Sequence, residues 1–423
     1  MSNETATAAV AWKGTVSDDE QSKAPLNVGV ALILGVLLWM GPYMGVNGVL
    51  LPARVAQLVG DQKATVLALL STSAMIVAAI ANIVFGALSD LTRSRWGRRT
   101  PWIVCGAVLS GLTLLLLNVV TSVPVLVAVW CLYQLFLNAV VAPLIAVLAD
   151  RVAPKNRGMI TSFYALGYSV GIYGGQMVAA PFVKNVSGGI VILAIAAMVG
   201  GPLAAVLMRE KSSLDMPKGE FTWKIFAQHF AFPTKNCRDY YLALVAKFLI
   251  VAAKFTVAGV QLYILTDYMK QTADGASGYL KIINLCMMVT AIGMTLIAAP
   301  VSDRIGSRKL PVVACAVFVA AGSLVPFFSA NPSVMIAFAL LVGIGMGMFN
   351  AVDQALNVDV LPDPDTAAKD LGIINLANTG GQVVGPVVAA SVIAVWGYQG
   401  LFPISACFAI VGGILILFIK KVK

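Results

Sequence analysis

The sequence predicts an all-α polytopic membrane protein, with twelve transmembrane helices in two pseudo-symmetric six-helix bundles. Three observations carry that prediction. The 423 residues are 59% hydrophobic and only 11% charged, with a mean hydropathy of +0.88, which leaves too few charges to cover a soluble protein of this length. Apolar runs close to the ~20 residues that cross a bilayer recur along the whole chain. Lysine and arginine crowd onto alternate loops between those runs.

Taken in order, residues 1–26 are polar and mixed in charge, without the basic start and apolar core of a cleaved signal peptide, and read as a solvated tail. Six apolar runs follow at about 27–51, 65–88, 101–120, 124–148, 158–182 and 189–208, making an N-terminal bundle over 27–208. Segment 209–239, the longest internal polar stretch, carries Arg209, Lys211, Lys218, Lys224, Lys235 and Arg238 and reads as a central loop. Six more runs at about 240–266, 278–299, 310–329, 333–358, 371–395 and 399–420 make a C-terminal bundle over 240–423.

The charge pattern orients these spans. With the N-terminus inside, the tail, the loops after spans 2, 4, 6, 8 and 10 and the C-terminus hold most of the 29 basic residues. The opposite loops hold Arg54, Lys63, Lys184, Lys270 and Lys281. Both termini are therefore expected in the cytoplasm, with the chain in the plasma membrane. The net charge of +10 flanks the spans, so nucleic acid is not an expected partner and the bilayer is. Of the six cysteines, five lie in apolar runs without paired or metal-type spacing, so neither a disulfide framework nor a metal is expected.

The halves echo one another. Ser89-Asp90 recurs as Ser302-Asp303, Asn138-Ala139-Val140 as Asn350-Ala351-Val352, and Gly167 and Gly171 as Gly381 and Gly385, each displaced by about half the chain. A duplicated six-span unit accounts for this, as in the parallel repeats of some transporters. The small-residue rows Gly167-x-x-x-Gly171-x-x-x-Gly175, Gly343-x-x-x-Gly347 and Gly381-x-x-x-Gly385 read as helix-packing seams.

GALSDLTRSRWGRRTP, residues 86–101, concentrates charge between spans 2 and 3, and its counterpart is Pro300-Val301-Ser302-Asp303-Arg304-Ile305-Gly306-Ser307-Arg308-Lys309. Gly86, Asp90, Arg93, Arg95, Gly97, Arg98 and Arg99 in the first half, with Asp303, Arg304, Gly306, Arg308 and Lys309 in the second, read as a charged latch at the cytoplasmic gate. The glycine permits a tight turn, and arginines fork onto carboxylates and helix carbonyls. Plain positive-inside anchoring is the alternative reading.

Asp303-Arg304-Ile305-Gly306-Ser307-Arg308-Lys309 resembles the loop signature of the major facilitator superfamily. The longer first-half form GALSDLTRSRWGRRTPW, with Ala351-Val352-Asp353-Gln354-Ala355-Leu356, Val360-Leu361-Pro362 and Asp370-Leu371-Gly372, is similar to the branch holding glycoside–cation and sucrose–proton symporters. The resemblance implies alternating access between two six-helix bundles, with substrate between them near mid-membrane and spans 1, 4, 7 and 10 lining the cavity. Span 2 lacks the acidic residues that bind the cation in sodium-coupled members of that branch, which turns the expectation to protons.

Ionisable groups inside hydrocarbon are functional candidates because they are costly there. Lys247, Lys254 and Gln261 recur every seven residues and share one face of span 7. Lys247 and Asp353 each lie about 9 Å from the cytoplasmic end of their helix. Asp353 is accordingly expected to pair with Lys247 and to carry the coupling proton, with Lys254 facing the cavity; a static packing pair is the alternative. Substrate contacts are expected from Tyr43, Asn47, Tyr133, Asn138, Tyr168, Lys254, Gln261, Asn350, Gln354 and Asn378, since ring faces and amides suit a sugar. Interhelical bonding explains any one of them equally well. Two lysines against one aspartate leave room for an anionic ligand such as a uronate.

The expected function is thus secondary active, proton-coupled uptake of a sugar or glycoside by a monomer. Export of amphipathic compounds, or a non-transporting binder or lipid flippase, are the alternatives. An enzyme is not expected, nor a cofactor: there is one histidine, His229, and no P-loop or G-x-S-x-G motif.

Overall fold

The computed structural model of the protein describes residues 16–216, 233–234, 237–362 and 367–422. His229 and much of the tail and central loop lie outside them, as do the side chains of Asp303 and Gln354.

Among the described residues, twelve long helices alternate in direction. α1 runs Leu26–Gly45, passes through a π-turn at Val46–Leu50 and continues as Leu51–Val59. Then come α2 (Lys63–Leu91), α3 (Thr100–Leu117), α4 (Val123–Arg151), α5 (Arg157–Ala179) and α6 (Val186–Met208). α7 (Arg238–Ala258) breaks at residues 259–260 and resumes through Gln261–Tyr263 and a π-turn at Ile264–Tyr268. α8 (Ala273–Ile305), α9 (Lys309–Phe328), α10 (Val334–Asp359), α11 (Ala367–Trp396) and α12 (Leu401–Leu417) complete the set.

All but α5 lie in stretches long and apolar enough to span a membrane. α5 is enriched in Gly, Ser, Tyr and Gln because part of its surface faces a cavity. Helices such as α8 outrun their apolar runs, and Lys281, read as a loop residue, stands about two turns inside α8.

The packing repeats with a period of six helices. Within α1–α6 the principal contacts are α1–α5, α1–α6, α2–α4, α3–α4 and α3–α6; within α7–α12 they are α7–α11, α7–α12, α8–α10, α9–α10 and α9–α12. The two sets meet through α2–α11 and α5–α8, which exchange under the same rule.

Glycine seams set the closest crossings. A Cβ on Gly175 of α5 would stand 2.1 Å from the carbonyl oxygen of Gly41 in α1, and one on Gly167 would stand 2.6 Å from that of Ile33. The α7–α11 crossing copies this, with Gly381 against the Phe248 carbonyl at 2.8 Å. Gly174, one residue away, has room, since its Cβ would meet only Val170 at 3.7 Å. Gly175→Ala is expected to destabilise the fold by about 1–3 kcal/mol through overpacking, and Gly174→Ala to leave it intact. Thermal unfolding of the purified variants checks this, and equal melting of the two contradicts it.

The π-turn in α1 has a local cause. Pro52 has no amide hydrogen for the carbonyl of Gly48, and the chain widens so that Leu51 N–H donates to Val46 instead. The π-turn after α7 occupies the corresponding place in the second half.

Candidate functional site

With twelve alternating helices, both described ends lie on one face of the bundle, here the tail face. At that face Arg98 and Arg99, at the start of α3, meet the end of α4. Arg98 Nη2 is 2.5 Å from Asp150 Oδ1, and Arg99 Nε is 2.8 Å from Asp150 Oδ2. Arg99 also pairs with Asp90 and donates to Ser89 Oγ at 2.5 Å. Glu210, beyond α6, accepts the backbone N–H groups of Arg98, Arg99 and Thr100, placing a carboxylate on the positive end of α3. Arg93 donates to the carbonyl of Leu214 at 3.0 Å, while Arg95 is exposed.

Gly97 makes the turn at φ 93°, and Gly86 sits with ordinary room beside Ala142. In the second half Gly306 ends α8 at φ 67°. Arg308 Nε stands 2.9 Å from Asp359 Oδ2 at the end of α10, repeating the α3–α4 pairing at α9–α10. Lys309 donates to the Ile419 carbonyl and Arg304 is exposed. None of these named bonds joins the two bundles. The sequence exposed the arginines and missed their partners Asp150, Glu210 and Asp359, although Asp150 and Asp359 close corresponding spans.

On the opposite, far face, named bonds cross between the halves. Tyr263 Oη donates to the Pro52 carbonyl at 2.9 Å, joining the two π-turn regions. Lys63 Nζ lies 2.6 Å from Asp267 Oδ2 and over the Tyr263 ring. Within the second half Tyr398 Oη donates to the same carboxylate oxygen at 2.6 Å, and across the halves Lys184 pairs with Asp274. Burial opposes ionisation of Asp267, yet the hydrogen bonds from Lys63, Tyr398 and Thr266 outweigh it and hold the carboxyl below its ordinary range. This contribution is present above the ordinary carboxylate pKa and is lost only as pH falls through the lowered value. Mild acidity leaves the latch shut.

Between the faces lies a cavity with about 90 Å³ open to the centres of water molecules. Both halves build it. α1 gives Tyr43 and Asn47, α4 Trp130 and Gln134, and α5 Tyr173 and Gln176; α7 gives Lys254, then Gln261 beyond its break, α8 gives Asn284, and α11 gives Thr379 and Gln382. The Tyr43 and Trp130 rings stack with centroids 6.4 Å apart at 15°. Lys254, 7% exposed, has its Nζ 5.4 Å from the Tyr173 ring centroid and 5.2 Å from that of Phe255. Gln261 Nε2 is buried with no partner among the described residues.

Of the expected substrate residues, Tyr43, Asn47, Lys254 and Gln261 thus line one space. Gln354 lies outside the described side chains, and the rest stand elsewhere. Tyr133 is fully buried behind Trp130, stacked at 5.0 Å. Asn138 accepts from Asn82 at 3.1 Å and donates to the Gln134 carbonyl at 2.8 Å, binding α2 to α4. Tyr168 stacks on Tyr164 at 6.3 Å and turns an edge to Trp39. Asn350 is exposed, and Asn378 is half-buried outside the lining. Trp130, Tyr173 and Thr379 escaped the sequence reading, because an aromatic or threonine in an apolar helix carries no mark of which way it faces.

Lys247 and Asp353 meet off the cavity, about 10 Å along α7 toward the tail face from Lys254. Lys247 Nζ is 2.6 Å from Asp353 Oδ2, and Asn357 Nδ2 donates to the same oxygen at 3.0 Å. The pair is buried, with 4% and 6% exposure. Both described bonds fall on Oδ2, which leaves Oδ1 as the oxygen able to take a proton.

The model of the Major Facilitator Superfamily matches the chain in two overlapping stretches, residues 30–294 and 243–423. Similar solved structures include the nucleoside transporter NupG, with a TM-score of 0.69 at 14% identity, covering 93% of this chain and 99% of that one. The human organic anion transporter TETRAN gives a TM-score of 0.66 at 14% identity, over 93% of this chain and 100% of its own. At such identity the likeness speaks for the fold alone. No curated protein sequence matches the chain.

Proposed function

The chain belongs to the Major Facilitator Superfamily, and from that premise we propose that it takes up a sugar or glycoside together with protons by alternating access. As a superfamily member it is a multi-pass membrane transporter of small molecules. The finer reading rests chiefly on one observation. The cavity between the halves combines stacked aromatic faces with amides from six helices, which suits C–H surfaces on one side and hydroxyl groups on the other. The distribution of basic residues supports an orientation with the tail face in the cytoplasm, and the membrane in this reading is the plasma membrane. The structure then represents the conformer latched on its outer face by Tyr263–Pro52 and Lys63–Asp267.

In this reading Asp353 carries the proton. Protonation at Oδ1 by a proton from outside the pair cancels the attraction that holds Lys247, and a buried lysine that keeps its charge without a counter-ion must move toward water or another partner. That movement changes the α7–α10 contact and so biases one conformer over the other. The tail-face latches act within each half, keeping each bundle rigid while the bundles rock.

Export of amphipathic compounds is the second reading, favoured by the flexible apolar wall that Met44, Met75 and Met287 give the cavity. Uptake into proteoliposomes of labelled sugars, uronates and drugs, with an imposed pH gradient, separates the two. Accumulation of a sugar that collapses with the gradient supports the proposal. Selective movement of amphipathic drugs instead overturns it.

A further inference from the structure

We infer that Lys254 receives a carboxylate of the substrate, so that the solute carried is a sugar acid in preference to a neutral sugar. This rests on the sugar reading above and narrows it. The argument is one of charge. Lys254 is buried on the cavity wall, where an uncompensated ammonium is costly. Its described neighbours are the rings of Tyr173 and Phe255, which hold a cation in place and leave its charge standing. No aspartate or glutamate is among the residues lining the cavity.

Asp353, the acid on the neighbouring α10, is already taken by Lys247 and Asn357. Among the described residues Lys254 has no ion-pair partner. The cavity therefore carries a positive charge that an incoming anion neutralises and a neutral hexose leaves exposed. One lysine, with no arginine on the cavity wall, matches a monoanion better than the dianion of a phosphate ester. Gln261, about two turns nearer the far face, offers its unpartnered Nε2 to a hydroxyl at the other end of the ligand. The Tyr43–Trp130 stack supplies the ring face between them.

The test uses the full-length protein in proteoliposomes and detergent, with glucuronate, galacturonate, glucose, galactose and glucose 6-phosphate as probes. Binding is read from tryptophan fluorescence, since Trp130 lines the cavity, and transport from labelled uptake. A hexuronate is expected to bind at least about 10-fold more tightly than its parent hexose. Lys254→Met is expected to lower hexuronate affinity roughly 10- to 100-fold, the weight of a charge-assisted bond, and so to abolish the preference for hexuronate over hexose. Lys254→Arg restores part of the loss. Should Lys254→Met fail to fold, the preference of the native protein decides alone.

Equal affinity for hexuronate and hexose overturns the inference and leaves the sugar reading standing, as does tighter binding of glucose 6-phosphate. Binding of none of the five probes, with uptake of an apolar amine or drug, overturns the inference and the sugar reading together.

Discussion

Asp353→Asn yields a transporter that exchanges substrate across the membrane and no longer concentrates it, so that the accumulation ratio under an imposed pH gradient falls to unity. The amide is close in shape and still accepts from Lys247 and Asn357, which in the native protein both bond Oδ2 at 2.6 and 3.0 Å. What it loses is the ability to take and release a proton. The substitution also leaves Lys247 buried without a counter-ion, which is destabilising in itself. The double variant Lys247→Gln with Asp353→Asn separates these effects. If Asp353 served only as a packing partner, the neutral pair would regain accumulation; as a proton carrier it would not. Undiminished uphill uptake by Asp353→Asn rejects the proton-carrier role outright.

The second large effect is expected at the far face. Lys63→Cys together with Asp267→Cys, joined by a short bifunctional thiol reagent, should arrest transport completely, with recovery when a cleavable linker is reduced. A flexible linker is needed because a direct disulfide tolerates little variation in backbone separation. The background must be a transport-competent variant lacking the six native cysteines, of which Cys105 and Cys407 are exposed. The reason for arrest is geometric. Lys63 opens α2 and Asp267 lies in the π-turn after α7, so the link ties one half to the other at the face that must part to admit solute. The unlinked double variant, having lost only a surface latch, should move substrate. Full transport by the linked protein would mean that the far face never opens.

Much of this was legible in the chain. The helices follow from apolar runs, and the repeat from Ser89-Asp90 and Ser302-Asp303. The Lys247–Asp353 pair follows from depth alone, since a buried lysine and a buried aspartate at equal distance from the same face have few other partners. Seven-residue spacing put Lys254 and Gln261 on one wall even though α7 breaks between them. Contacts made between helices were less legible. Asn138 has the same composition-level signature as Asn47, but its amide is spent on Asn82, a partner 56 positions away. Asn350 occupies the repeat position of Asn138 and is exposed.

The latch residues Glu210 and Asp267 stand at helix ends, where sequence marks charge but not the neighbour that claims it. The π-turn at Val46–Leu50 has a sequence cause in Pro52, visible only once the helix is seen to continue past it.

The account depends on two lobes that open in turn to opposite faces. The most direct measurement is a pair of spin-label distances in the reconstituted protein, one from position 184 to 274 across the far face and one from position 95 to 304 across the tail face. The four residues replaced by label, Lys184, Asp274, Arg95 and Arg304, are all exposed. Under substrate and a proton gradient, a population should appear in which the far-face distance lengthens as the tail-face distance shortens. Distances that stay fixed through sustained turnover, or that lengthen and shorten together, would contradict it.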